Sequence, residues 1–126
     1  MENCIFCKLV QEGATLKVWE SENYLGFLDI YPVMPGHTLL IPKKHEDYVF
    51  DLPDAEYTAL FLEAKKLAKK LKEKIGAKRI GILVEGFGVP HTHVHLIPIN
   101  KPREISGPSK EADMAELEKL AKKING

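Results

Sequence analysis

Apolar and polar positions along this chain alternate in two ways, and the alternation predicts an antiparallel sheet with helices packed on it. Residues 5–12 read as a short helical turn ending at Gly13. Two β-like runs follow, Leu16–Trp19 and Tyr24–Ile30. Tyr31-Pro32-Val33-Met34-Pro35-Gly36 carries two prolines and a glycine and reads as a loop. His37–Ile41 is a third apolar strand, stopped by Pro42. Pro53 suits the first turn of a helix, and from there Tyr57, Leu60, Phe61, Ala64, Leu67, Ala68, Leu71 and Ile75 recur at helical spacing up to Gly76. Two more strands follow, Arg79–Glu85 and His91–Ile97, then a loop over residues 99–108. Met114, Leu117, Leu120 and Ile124 mark a closing amphipathic helix, placed at residues 109–124. The class is α+β. With no repeat, low-complexity tract or flexible linker, residues 1–126 read as a single domain.

Charge narrows the possible partners. The 18 basic and 18 acidic side chains cancel, so no global field favours nucleic acid or an anionic membrane. The lysines at 65, 66, 69, 70, 72 and 74 read as the solvated face of the long helix. No apolar run approaches the roughly 18 residues of a spanning helix. Met1-Glu2-Asn3-Cys4 lacks the basic start and apolar core of a signal peptide, which gives a cytoplasmic expectation with reduced thiols. There the C-x-x-C pair Cys4 and Cys7 reads as metal ligands or a redox couple before it reads as a disulfide. A thioredoxin-like pair would follow a strand inside a βαβ unit, which this pattern lacks, so metal is favoured. A tetrahedral zinc site would need two further ligands.

Three of the five histidines fall at strict period two in Pro90-His91-Thr92-His93-Val94-His95-Leu96-Ile97-Pro98. On a strand, such positions share one face at roughly 6.5 Å spacing. Clustered imidazoles bind a metal or carry out nucleophilic and acid–base chemistry near neutral pH. The preceding Glu85-Gly86-Phe87-Gly88-Val89 has two glycines, which allow backbone N–H groups to approach an anion closely.

The H-x-H-x-H run resembles the signature of the histidine triad (HIT) hydrolases and transferases. The likeness extends in order through Cys4-Ile5-Phe6-Cys7, Phe27-Leu28-Asp29-Ile30 and Gly36-His37-Thr38-Leu39-Leu40-Ile41-Pro42-Lys43-Lys44-His45. It implies a five-stranded antiparallel sheet with helices against it, and a homodimer whose sheets join. It also implies that His93 attacks the α-phosphorus of a nucleotide, that His95 and His37 surround the phosphate, and that a nucleotidyl-histidine is hydrolysed by water. Phe27, Leu28, Asp29 and Ile30 match the nucleoside-holding segment, with Asp29 toward the ribose. Relatives with an N-terminal C-x-x-C hold a structural zinc through the positions of Cys4, Cys7, His45 and His91.

The chain departs from that pattern in one region. Val84 stands where many members have Asn, and Gly86-Phe87-Gly88-Val89-Pro90 offers neither Gln nor a hydroxyl. Backbone N–H groups of Gly88 and Val89 are the expected substitutes. Three readings follow: a nucleotide hydrolase or transferase acting through His93, on an adenosine phosphoramidate, a dinucleoside polyphosphate or a related nucleotide; a nucleotide- or partner-binding protein with little turnover; and a hydrolase whose three triad histidines ligate a catalytic zinc. The closing helix is the place for specificity or dimer contacts.

Overall fold

Alternation along the central strands gives one sheet two different apolar faces. The computed structural model describes residues 3–126; Met1 and Glu2, the start of the expected N-terminal segment at 1–15, lie outside the described residues. The elements are α1 (Ile5–Glu12), β1 (Lys17–Glu20), β2 (Tyr24–Leu28), β3 (Thr38–Pro42), α2 (Asp54–Ile75), β4 (Arg79–Leu83), β5 (Val94–Ile99) and α3 (Met114–Asn125). The five strands pair antiparallel throughout in the order β1-β2-β3-β5-β4.

Leu28, Leu40, Val94 and Leu96 point to one side, where Leu60, Leu67 and Leu71 of α2 and Leu117, Ala121 and Ile124 of α3 cover them. Leu25, Phe27, Leu39 and Ile41 point to the other side, beneath Phe6 of α1. Since successive strand residues face opposite ways, His95, paired with Leu39, is on the α1 side. The functional groups therefore collect on the face carrying the smaller helix.

Helix α2 stops at Gly76, whose φ of 83° is the left-handed cap that glycine adopts without strain. Pro53 caps its start rather than entering the first turn. Of its lysines, Lys65, Lys66, Lys69 and Lys72 are exposed, whereas Lys70 donates to Val18 O at 2.8 Å and Lys74 to Gly126 O at 2.9 Å. No helix among the described residues is long and apolar enough to cross a membrane.

Two expected elements begin elsewhere. The triad strand starts at Val94 rather than His91 and runs on to Ile99. Residues 91 and 92 leave the sheet because the His91 N–H donates to Val89 O (2.8 Å) and the Thr92 N–H to Glu46 O (2.6 Å). At the other end, Pro98 lies past the last β3 pairing, Thr38 with Leu96, so the missing N–H disturbs no ladder there. The closing helix starts at Met114, not near 109; the segment before it is an extended strap, held by the Ala112 N–H on Ile30 O at 3.0 Å.

Gly36 joins the fold to the site. Its φ is 92°, and a Cβ there would collide with Ile75 Cδ1 and reach Pro98 Cγ at 3.1 Å. The next residue is His37. Gly36→Ala is expected to lower unfolding stability by about 2–4 kcal/mol, from left-handed strain plus overpacking. Urea unfolding checks this, and a change under about 0.5 kcal/mol would contradict it.

Candidate active site

The first triad histidine leaves the other two and joins the cysteines. Cys4 Sγ lies 3.4 Å from His91 Nδ1, and Cys7 Sγ lies 3.2 Å from His45 Nδ1 and 3.5 Å from His91 Nδ1. All four donor atoms fall within 4.8 Å of one another. Bonds of about 2.3 Å to sulfur and 2.0 Å to nitrogen at tetrahedral angles separate such donors by roughly 3.5 Å, so the cluster has the dimensions of a closed four-ligand metal site. The outer contacts fit as well: His91 Nε2–H donates to Pro42 O at 2.7 Å, which leaves Nδ1 as the ligand atom. Thr92 fixes the His45 side of the cluster, its hydroxyl donating to Glu46 O at 2.9 Å. Burial, followed by the adjacent Cys4 thiol, pushes the Cys7 thiol up, and a bound cation reverses that balance.

His91 also orients the next histidine. Its carbonyl lies 2.7 Å from His93 Nδ1, and a carbonyl only accepts, so the proton sits on Nδ1 and Nε2 keeps its lone pair. Phe6 packs edge-on against the His93 ring, with centroids 5.3 Å apart, and against Phe27 at 5.4 Å. His93 is 6% exposed, at the wall of a cavity of about 620 Å³.

His95 and His37 form a relay with one sense. The Val33 amide donates to His37 Nδ1 at 3.0 Å, which places the His37 proton on Nε2. That Nε2–H donates to His95 Nδ1 at 2.8 Å, so the His95 proton is on Nε2, available to a ligand. Burial, then the neighbouring His37 and His93, lowers His95 to about 4; burial also lowers His37, against the opposing pull of Asp29. Both rings are therefore neutral at pH 7. Asp29, His37 and His95 also bring three donor atoms within 4.8 Å. Metal binding there would need a lone pair on His37 Nε2, which the Val33 amide denies it.

The same cavity is lined by Phe27, Leu28, Asp29, Ile30, Gly88 and Val89. Phe27 is 6% exposed among the apolar residues under α1, and Ile30 is 42% exposed at the rim. Leu28 is 2% exposed and packs mainly into the core under α2 and α3. Asp29 does two jobs: Oδ1 accepts the Tyr31 amide at 2.8 Å, capping the turn, while Oδ2 lies 3.5 Å from His37 Nε2. The third reading, with all three triad histidines on one metal, fails because the His91 ring is turned to Cys4 and Cys7, with Nδ1 3.4 and 3.5 Å from their sulfurs. Sequence reasoning missed Val33, which sets the relay through its backbone amide, a group that carries no residue signal.

The HIT domain model matches residues 10–101. The chain belongs to the HIT family. It is 38% identical over 128 residues to the adenosine 5'-monophosphoramidase HNT1 of Saccharomyces cerevisiae, covering 96% of this chain and 80% of that one. Among solved structures, a HIT-like protein of Bartonella henselae superposes with a TM-score of 0.86 at 30% identity, covering 99% and 96% of the two chains. A zinc-bound histidine triad family protein of Mycobacterium smegmatis gives 0.81 at 27% identity, covering 98% and 94%. The five-stranded antiparallel HIT fold is thus shared at the level of both sequence and structure.

The depressed His95 has a direction in pH. Its pKa is below the unfolded value of about 6.5, so the unfolded chain binds more protons between there and about 4. Stability is full above about 6.5 and is lost as pH falls toward about 4, with His37 acting in the same sense. Urea midpoints measured across that window are expected to fall with acid, and to fall less in His95→Gln. Parallel curves for the two proteins would refute the assignment.

Proposed function

We propose that this HIT protein is a nucleotide hydrolase or transferase that cleaves an adenosine phosphoramidate at phosphorus through His93. The observation that carries this reading is the His93 tautomer: Nδ1–H held by the His91 carbonyl at 2.7 Å, with a lone pair on Nε2 at the wall of the cavity. The similarity to HNT1 supports phosphoramidate as the substrate class. Dinucleoside polyphosphates and related nucleotides share the same α-phosphate chemistry.

In the first step His93 Nε2 forms a bond to phosphorus while the P–N bond breaks; the departing nitrogen keeps that electron pair and takes a proton from water. In the second step a water oxygen bonds to phosphorus and gives its proton to the hydroxide left by the first step, the P–Nε2 bond breaks with its electron pair returning to Nε2, and AMP leaves. Covalent catalysis divides one displacement into two easier ones. His95 Nε2–H, aligned by His37, donates to the phosphate oxygens as negative charge gathers on them. Backbone N–H groups of Gly88 and Val89 do the same from the glycine loop. Phe27 and Ile30 flank the base, Leu28 backs them from the core, and Asp29 Oδ2 accepts from the ribose hydroxyls.

Cys4, Cys7, His45 and His91 would hold a structural zinc. When bound, zinc supplies a cross-link that fastens α1 to the segment carrying His93, and the closed donor set leaves no position for substrate. The protein is a homodimer in this reading. Edge strand β4 has one unpaired side with Ile82 49% exposed, and Tyr48 and Phe50, between β3 and α2, stand 51% and 68% exposed. A binding protein with little turnover is the second reading, favoured by a loop, Gly86–Pro90, that brings no hydroxyl or amide side chain to the phosphate.

Single-turnover incubation with adenosine phosphoramidate tests the nucleophile. Wild type is expected to give an acid-labile adenylylated protein and AMP, and His93→Ala at least about 10³-fold less of both. Nucleotide affinity without product from wild type would favour the binding protein instead.

Native mass spectrometry tests the metal and the assembly together. Two chains carrying two zinc ions are expected; Cys7→Ser is expected to lose zinc and several degrees of Tm, whereas His93→Ala keeps both. A zinc-free wild type after zinc-replete expression would refute the site.

A further inference from the structure

The turn before the triad carries an aromatic side chain with nothing over it. Phe87 is 90% exposed, the most of the large apolar residues described. Its neighbours along the chain face inward: Glu85, Gly88 and Val89 line the cavity of about 620 Å³ that holds His93 and His95. Gly86 and Gly88 bracket the ring. Gly86 has a φ of 87°, which suits glycine. At Gly88 neither a positive φ nor a close neighbour calls for glycine, and an added Cβ would meet nothing within 4 Å. Among the described residues, no backbone hydrogen bond holds residues 86–88. A main chain this free, with glycine on both sides of one ring, offers little resistance to a second conformation.

We propose that Phe87 is a substrate-contacting residue, and that the Gly86–Gly88 turn brings its ring over the mouth of the cavity to cover the leaving group. This rests on the cavity being a nucleotide site and adds the residue that meets the far side of the phosphate. Phe27, Asp29 and Ile30 stand at the nucleoside end in that reading, and the Gly88 and Val89 amides at the phosphate. Phe87 precedes Gly88 by one Cα step of about 3.8 Å, so its ring belongs to the phosphate end, where the leaving group departs. Closing there removes a phenyl ring from water. It also excludes bulk water around the His95 Nε2–H, which strengthens that donor as charge gathers on the phosphate oxygens. An amine with an aromatic body gives the ring a surface to pack on, whereas ammonia gives it none. Departure of the amine uncovers the site again for the water of the second step.

The test has a binding part and a kinetic part, both on the intact chain. Phe87→Trp is placed in His93→Ala, so that substrate is held without turnover. Its emission is followed as the N-phenethyl derivative of adenosine phosphoramidate is added, and His93→Ala alone supplies the correction for Trp19, the one native tryptophan. Emission is expected to start as that of a solvated indole, then to shift to the blue and lose iodide quenching on binding. In wild type, KM for the N-phenethyl derivative is expected to be about threefold to tenfold below KM for unsubstituted phosphoramidate, the contribution of one aromatic pair. Phe87→Ala is expected to abolish that difference and Phe87→Tyr to keep it, with Tm unchanged in both because the ring is exposed. Three results overturn the proposal: emission unmoved although calorimetry shows binding, emission already blue-shifted without nucleotide because a second copy covers the ring, or a KM ratio in Phe87→Ala equal to that of wild type. Binding needs no turnover, so a chain that binds but releases no AMP fails the hydrolase reading and still decides this one. A chain that binds neither compound overturns both.

Discussion

The site depends on how His91 is held. Its ring is fixed at both nitrogens, by the cysteine cluster at Nδ1 and by the Pro42 carbonyl at Nε2. Its own carbonyl then fixes the proton of His93. One residue thus joins the N-terminal segment, the end of β3 and the His93 imidazole. Leaving the sheet at this point is what makes the arrangement possible. Had residues 91 and 92 continued in the β3 ladder, the His91 ring would lie beside His93 on the sheet face instead of turning to Cys4 and Cys7.

Phe6 extends the same linkage. It packs edge-on against His91, His93 and Phe27, with centroids 6.0, 5.3 and 5.4 Å apart. The segment bearing the two cysteines therefore also covers the His93 ring with an aromatic side chain. Fastening of α1 and shaping of the cavity beside His93 are a single structural act.

Much of this was legible in the sequence, for identifiable reasons. The α2 stripe and its glycine stop are long and periodic, so its boundaries differ by about a residue from the expectation. The four-residue Cys/His cluster was legible through the resemblance, since spacing alone offers half a site. Period two set His95 on the opposite sheet face from Val94 and Leu96, as the structure has it, but failed for His91, where hydrogen bonds to Val89 and Glu46 outcompete the ladder. Glu63 was silent in the sequence: it sits beside the apolar stripe of α2, 9% exposed, because Trp19 Nε1 and Ser21 Oγ donate to it at 2.7 and 2.6 Å. The strap before Met114 falls in the expected helix at 109–124 because the stripe of Met114, Leu117 and Ile124 marks a helix without marking the residue at which it starts.

The relay from Val33 through His37 to His95 has a broader consequence. A chain of imidazoles can in principle be read in either direction, and reversing it would swap which end gives and which end receives. Here the first member is a peptide amide, which neither gains nor loses a proton in ordinary aqueous conditions. The polarity of the His37–His95 pair is therefore written into the main chain. Side-chain titration can break it, but nothing short of moving the loop can invert it.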